Sequence, residues 1–574
     1  MRAVLIAASL VACHATPRPS GPLVTTGESS HWERTGRYDE AVRLCHDFAA
    51  SYPGVTCRSI GRTAEDREIV AVEISRAKGP WIYVQGGIHA GEIEGKDAGF
   101  WFLRDLLDGK IAAGALDHVN VVFVPVINPD GHERFGPNNR PNQRGPVEMG
   151  FRTNGARLNI NRDFMKADSE EMRAVLGVWR QRDPVVFVDL HTTDGAKFEH
   201  DVAIDAAPVA PRADQLDQTA QTLAKAIVAR LTALGHLPID EYYPSFAKQD
   251  DPASGFSINE PPPRFSQAYA ASRGRIGILV ETHSWKTYAQ RVQTTYHFLQ
   301  ALAERAITEA PAWERAARTA DAAALHLGGA DLPLTYDNTD KITTLDFRGY
   351  AYKVEHSEIS NAEWITYDEA APQIWKIPLK EDLVVATRAA VPAAGYVIEG
   401  GFAKLAEPVL AAHGIAFTRI AGQPKLAITA FRATKTKWSS PSFEGHARMM
   451  LDGGWAAETR TLDRGAIFVP IAQPLARVIV HLLDPAGPDS LAQWGMFATA
   501  FERKEYMESY LAEETARAML AKDPQLKAQF DAALAADPEL AKSAEKRLDW
   551  FYARTPAWDE RMNLLPVYKL DRAP

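Results

Sequence analysis

His89 and Glu92 stand three residues apart in His89-Ala90-Gly91-Glu92, directly after an apolar run, Trp81–Ile88. At the start of a helical turn, that spacing puts both side chains on one side, where they can share a metal ion. Three more apolar runs end in polar residues of the same kind. Val185–Leu190 ends at His191, Ile276–Val280 at Glu281, and Val119–Ile127 at Asn128-Pro129-Asp130-Gly131. His89, Glu92 and His191 make a three-ligand zinc set whose fourth position is open to water. Glu281 then supplies a free carboxylate to take the water's proton, so the chemistry is metal-assisted hydrolysis.

Such residues, far apart in sequence, converge only if one sheet carries them. The runs just named, with Ile69–Ile74, are almost continuously apolar, as suits strands covered on both faces. Helical patterns lie over 37–50, Gly95–Leu107, Ser169–Arg182 and Gln215–Leu234, and a helix from Tyr288 to Ile307 closes the region. The alternation predicts an α/β fold: a mixed, mostly parallel central sheet with helices on both faces, its site outside the carboxyl ends of the strands. The expected domain spans 30–310. A smaller accessory α/β or β-rich domain is expected over 330–488, with strands Leu383–Thr387, Gly395–Ile398, Ala466–Val469 and Ala476–Leu483 and a helix Phe402–His413. A helical segment, 489–574, follows, with helices Phe501–Lys522, Gln525–Ala535 and Ser543–Ala553.

The chain has 574 residues, long enough for two or three domains. Net charge is −9, which gives no basic field for nucleic acid. Three cysteines exclude a Cys-based metal scaffold, while sixteen histidines leave a His/carboxylate site open. Ala3–Ala12 is an apolar run of ten residues after Met1-Arg2, about half a bilayer span. It ends Leu10-Val11-Ala12-Cys13, which resembles a bacterial lipobox. Residues 1–29 are therefore expected to be a leader and tether, with Cys13 the lipid anchor of a cell-envelope protein, or else a signal cleaved to release a periplasmic or secreted form. Cys45 and Cys57 are either a disulfide or two buried thiols.

The array resembles the zinc metallocarboxypeptidase family, the carboxypeptidase A-like enzymes, and in particular long bacterial members. The resemblance covers about 37–307. It implies one zinc per chain on His89, Glu92 and His191, with Glu281 as general base. Asn159-Ile160-Asn161-Arg162-Asp163-Phe164 resembles the segment whose Asn-Arg pair clamps a substrate's terminal carboxylate, which implies Asn161 and Arg162 as substrate-binding residues and peptides with a free C-terminus as substrates. An Arg between the motifs polarises the scissile carbonyl; Arg144 fits the spacing better and Arg140 competes. Two departures stand out. Gly91 replaces an Arg of the digestive members, and the tyrosine that closes over substrate has three candidates, Tyr242, Tyr243 and Tyr269. His283 is expected to pack behind the site, and His132 and His200 to be surface or loop groups. Hydrolysis of a non-peptide amide, such as an N-acyl amino acid, and a non-catalytic binding lipoprotein are the alternative readings.

Overall fold

In a computed structural model of the protein, describing residues 22–207, 214–243 and 245–574, the apolar runs become strands of one eight-stranded sheet. The strands in chain order are β1 (Val55–Arg62), β2 (Glu68–Ile74), β3 (Trp81–Gly86), β4 (Asn120–Val124), β5 (Val186–Thr193), β6 (Val202–Ala207), β7 (Pro238–Ile239), a short β8 (Phe256–Ser257) outside this sheet, and β9 (Ile276–His283). Across the sheet they run β1-β2-β4-β3-β5-β9-β6-β7. The centre, β4-β3-β5-β9, is parallel, while β1, β2 and β6 join their inner neighbours antiparallel. The sheet is thus mixed α/β, as the sequence predicts.

Period-two alternation explains why both faces are apolar. Ile82, Val84, Val186, Val188, Ile278 and Val280 enter a core shared with the helices Tyr38–Ser51, Glu94–Leu107, Gln215–Ala233 and Tyr288–Ala324. Tyr83 and Phe187 stack on the opposite face, where Trp179 of the helix Glu170–Arg182 and Tyr269 of the helix Ser266–Ser272 cover them. Each fully buried side chain of this size contributes ~1.5–3 kcal/mol. His191 shares its face of β5 with Phe187, and Glu281 lies beside it in register on β9.

Several boundaries differ from expectation. The helix expected to end at Ile307 runs to Ala324 through Pro311, because Ala306, Ala310, Trp313 and Ala317 continue its buried stripe. Ala476–Leu483, expected as a strand, is a helix, nearly all of it buried. The helix expected from Phe501 begins at Ser509. The end of the expected tether is packed: Thr25 caps a short helix, Thr26–Ser29, and Arg104 donates to the Leu23 carbonyl and pairs with Glu28. Cys13 lies outside the described residues. Cys45 and Cys57 form a disulfide that ties the first long helix to β1.

The described chain divides into two compact units. One holds the residues up to 393 with Ala406–Phe417 and Pro470–Ser490; the other holds Ala394–Leu405, Thr418–Val469 and Leu491–Pro574. Among the described residues no division falls at 310–330, while one falls between Ser490 and Leu491, two residues from the expected boundary at 488. β10 (Asp331–Asn338), β11 (Thr343–His356), β12 (Glu363–Lys380) and β13 (Leu383–Ala390) belong to the first unit. β11 and β12 form a long antiparallel hairpin, and β12 adds β8 in parallel through Leu379 and Phe256. Phe347, Trp375, Ile377 and Phe256 bury together at its base. The second unit contains most of a six-stranded sheet, in which Lys425–Trp438 and Met449–Thr461 form a hairpin, and the helices Ser509–Lys522, Pro524–Ala536, Pro538–Lys542 and Ala544–Tyr552.

Candidate metal centre

The turn after β3 and the ends of β5 and β9 bring His89, Glu92, His191 and Glu281 to one sheet edge. Candidate ligand atoms of His89, Glu92 and His191 all lie within 4.8 Å of one another, and all three residues are buried. Glu92 is the hub. Its Oε1 is 3.0 Å from His89 Nδ1 and its Oε2 is 2.9 Å from His191 Nδ1. Thr192 N–H donates to Oε2, Arg140 Nη2 donates to Oε1 at 2.7 Å, and Arg152 Nη1 reaches Oε1 at 3.4 Å.

The other ring nitrogens are also held. His89 Nε2 lies 3.0 Å from Asn159 Oδ1, an oxygen that also accepts from Asn161 N–H and can only accept. Nε2 therefore carries the proton, and His89 Nδ1 turns a bare lone pair toward the Glu92 carboxylate. Burial lowers the His89 pKa to about 4, against the pull of Glu92, so the ring is neutral. Two lone pairs facing across 3.0 Å call for a cation between them, which is the donor set that zinc takes. His191 Nε2 stands 2.9 Å from Asp189 Oδ2, and Gln85 donates to the other oxygen of Asp189. Such outer partners orient metal-binding imidazoles. Against the cost of burial, Arg140 and His191 hold Glu92 well below the ordinary carboxylate range.

Glu281 is buried and its Oε2 has no hydrogen-bond partner. Burial pushes its pKa up to about 8; His191 opposes this, and Glu92, Asp189 and Asp194 add to it. A divalent cation alongside would draw it down.

The arginines fall differently from expectation. Arg144 is not at the centre: it pairs with Glu369 of β12, and its guanidinium lies 5.7 Å from the Trp285 ring centre. Arg140 and Arg152 reach Glu92 instead. Arg140 explains Gly91 as well, because a Cβ there would lie 2.6 Å from Arg140 Cγ and 2.6 Å from the Gly150 carbonyl. The guanidinium thus arrives from another segment, across a position that must be glycine. Arg152 was not singled out by sequence reasoning. Its signal was its place in the short stretch between two motifs, and Asn128, which caps the turn of the first, donates to its carbonyl.

Asn161 is buried with Nδ2 3.5 Å from His191 Nε2. The Arg162 guanidinium lies 4.2 Å over the Phe265 ring and donates to the Asn161 carbonyl. Asp163 accepts from Lys166 and Ser169. Of the three tyrosines, Tyr242 is at the site: it lines a small cavity with Glu281, and its hydroxyl accepts from Thr193. Tyr243 stacks on Phe256, and Tyr269 is buried against His413. His283 stacks on Phe198 behind β9. His132 and His200 are buried rather than surface groups, held by backbone carbonyls.

The chain is 30% identical over 126 residues to carboxypeptidase B of Helicoverpa zea, covering 20% of this chain and 29% of that protein. It is 33% identical over 118 residues to an inactive metallocarboxypeptidase of Saccharomyces cerevisiae, covering 18% and 27%. It thus spans less than a third of the length of either curated relative. Among solved structures, the carboxypeptidase A of Helicoverpa armigera matches with a TM-score of 0.35 at 16% identity, over 50% of this chain and 74% of that one. A metallo-carboxypeptidase of Burkholderia cenocepacia matches with a TM-score of 0.33 at 18% identity, over 44% and 65%. Residues 41–304 match the Peptidase_M14 family, described as zinc carboxypeptidase. With its His–Glu–His group at the sheet edge, this segment, a little under half of the chain, matches a zinc carboxypeptidase domain.

Proposed function

We propose that the protein is a zinc metallocarboxypeptidase that removes the C-terminal residue of peptides. The observation that carries this reading is the pair of Nδ1 atoms, from His89 and His191, turned on the Glu92 carboxylate beside the unpartnered Oε2 of Glu281. Zinc held by His89, Glu92 and His191 would lower the pKa of a water and polarise a carbonyl. Glu281 receives the proton of the attacking water at Oε2 and passes it to the leaving amine. Arg152, at the edge of the site, is placed to stabilise the developing oxyanion. Arg162 binds the substrate's terminal carboxylate with its planar fork, assisted by Asn161. One relative is inactive, so likeness to the family alone does not carry activity; Glu281 beside the ligand set supports it here.

The test is mass spectrometry of peptides incubated with zinc-loaded protein, as free acids and as C-terminal amides. Free acids should lose terminal residues one at a time. An amide leaves the guanidinium without its anion, at a cost of ~1–3 kcal/mol, so kcat/KM should fall on the order of 10-fold or more. Arg162→Ala should narrow the gap. Equal cleavage of acid and amide, or internal cuts in blocked peptides, would move the activity to an amidase or endopeptidase. Turnover of N-acyl amino acids but no peptides would make it a deacylase.

The apolar run Ala3–Ala12 and the Cys45–Cys57 disulfide support a reading of export to an oxidising compartment, with Cys13 as lipid anchor. Labelled palmitate should enter the wild type and not Cys13→Ala. Labelling of neither would favour a soluble form.

A further inference from the structure

We propose that the β11–β12 hairpin, outside the matched segment 41–304, completes a subsite for an aromatic or bulky apolar group on the acyl side of the scissile bond. This rests on the carboxypeptidase reading above. A cleft of about 980 Å³ is lined by Phe198, Tyr243, Phe246 and Trp285 of the domain and by Trp364 and Tyr367 of β12. That is the upper end of the range for ligand pockets. Asp194 lines the same cleft and is 3.3 Å from Arg140, whose shorter bond goes to Glu92, so the cleft adjoins the metal centre. Asn161, Arg162 and Phe265 are not among its described lining residues. With the terminal carboxylate at Arg162, the part of a substrate that reaches this cleft is the part preceding the scissile bond.

The wall's chemistry selects the occupant. Trp364 leaves 47% of its surface exposed in the wall of this cleft, an apolar ring that a bulky apolar group can cover. Glu369 of β12 sits between Arg144 and Lys197, Lys197 Nζ lies 4.7 Å from the Trp285 ring centre, and Asp194 and Asp250 are the carboxylates of the cleft wall. Lys286 Nζ also donates to the Tyr350 hydroxyl on β11. These contacts pin the hairpin to the domain, and they give Arg144 a positioning role in place of the catalytic one expected from spacing.

The test uses two blocked dipeptides with a common C-terminal residue, benzyloxycarbonyl-Phe-Leu and acetyl-Gly-Leu. Trp364→Ala and Tyr367→Ala should each lower kcat/KM for the first on the order of 10-fold, mainly through KM, and leave the second nearly unchanged. Glu369→Ala should act in the same direction. Calorimetry on zinc-loaded Glu281→Gln protein reads the subsite without turnover. The first compound should bind more tightly than the second, and adding Trp364→Ala should remove the difference. If the wild type cleaves neither compound but this binding difference holds, the peptidase reading fails and the subsite stands. Equal binding of the two compounds, or equal losses for both in the variants, would overturn the subsite.

Discussion

The sheet edge and the long connection between β4 and the helix Glu170–Arg182 both deliver residues to the metal centre, but they hold them in different ways. On the sheet, position follows from pairing. His191 lies opposite Glu281 because Val186 lies opposite Ile276, and a slip of one residue would turn the whole apolar set to the wrong face. On the connection, position follows from individual polar contacts. Asn128 holds the Ile88 and Arg152 carbonyls, Gln143 donates to the Gly91 and Gly145 carbonyls, and Arg140 is drawn in by Glu92 and Asp194. The sheet therefore fixes where the chemistry happens. The connection fixes which cations attend it.

The largest expected effect lies on the sheet. Glu281→Gln keeps the shape of the side chain but cannot accept the water's proton, and kcat should fall ~10²–10⁴-fold while zinc content holds at wild-type level. Zinc content and kcat measured on the same preparation check this. Loss of zinc together with activity would make Glu281 part of the metal-holding set rather than a base.

Next comes the connection's strongest contact. Arg140→Ala removes a buried partner of Glu92, and breaking a buried ion pair typically costs ~3–5 kcal/mol. The cost should appear as a lower unfolding midpoint of the zinc-free protein and shrink when zinc is added, because the cation then faces the same carboxylate. A deficit that is unchanged by zinc would mean that Arg140 serves the loop and not Glu92.

A smaller effect is expected one layer behind the ligands. Asp189→Asn puts an amide where His191 Nε2 now finds a carboxylate, and zinc affinity should weaken ~10–100-fold. A competition titration with a chelator measures it. An unchanged affinity would leave Asp189 as a core group held by Gln85.

The same division decides what could be read from the sequence. His89, Glu92, His191 and Glu281 were legible because each follows an apolar run, and parallel strands end on one side. The arginines were not, since spacing along a connection says nothing about which guanidinium turns inward. Gly91 marked the place where they come in: a Cβ there would meet both Arg140 and the Gly150 carbonyl. Ala476–Leu483 was misread because a helix buried nearly all round has no polar face to reveal its period. In the stretch Trp375–Leu379, buried and exposed residues do alternate strictly, and the long hairpin was legible there although it was not predicted.

The smallest expected effect is the sharpest check on the connection. Arg144 is the arginine that spacing favours, yet its side chain is 43% exposed and is spent on Glu369. An exposed pair of this kind contributes ~0–1 kcal/mol. Arg144→Ala should therefore shift the unfolding midpoint little and leave zinc affinity at the wild-type value. The two arginines should also separate by salt. Screening at about 1 M reaches only ~3 Å, so the exposed Arg144–Glu369 pair loses its contribution there, while the buried Arg140–Glu92 pair keeps most of its own. Unfolding of wild type, Arg140→Ala and Arg144→Ala at low and high salt, with a zinc titration of each, reads both differences. If Arg144→Ala proved as damaging as Arg140→Ala and equally insensitive to salt, Arg144 would belong at the metal centre in solution, and the contact with Glu369 would be one state of a residue that moves between the two.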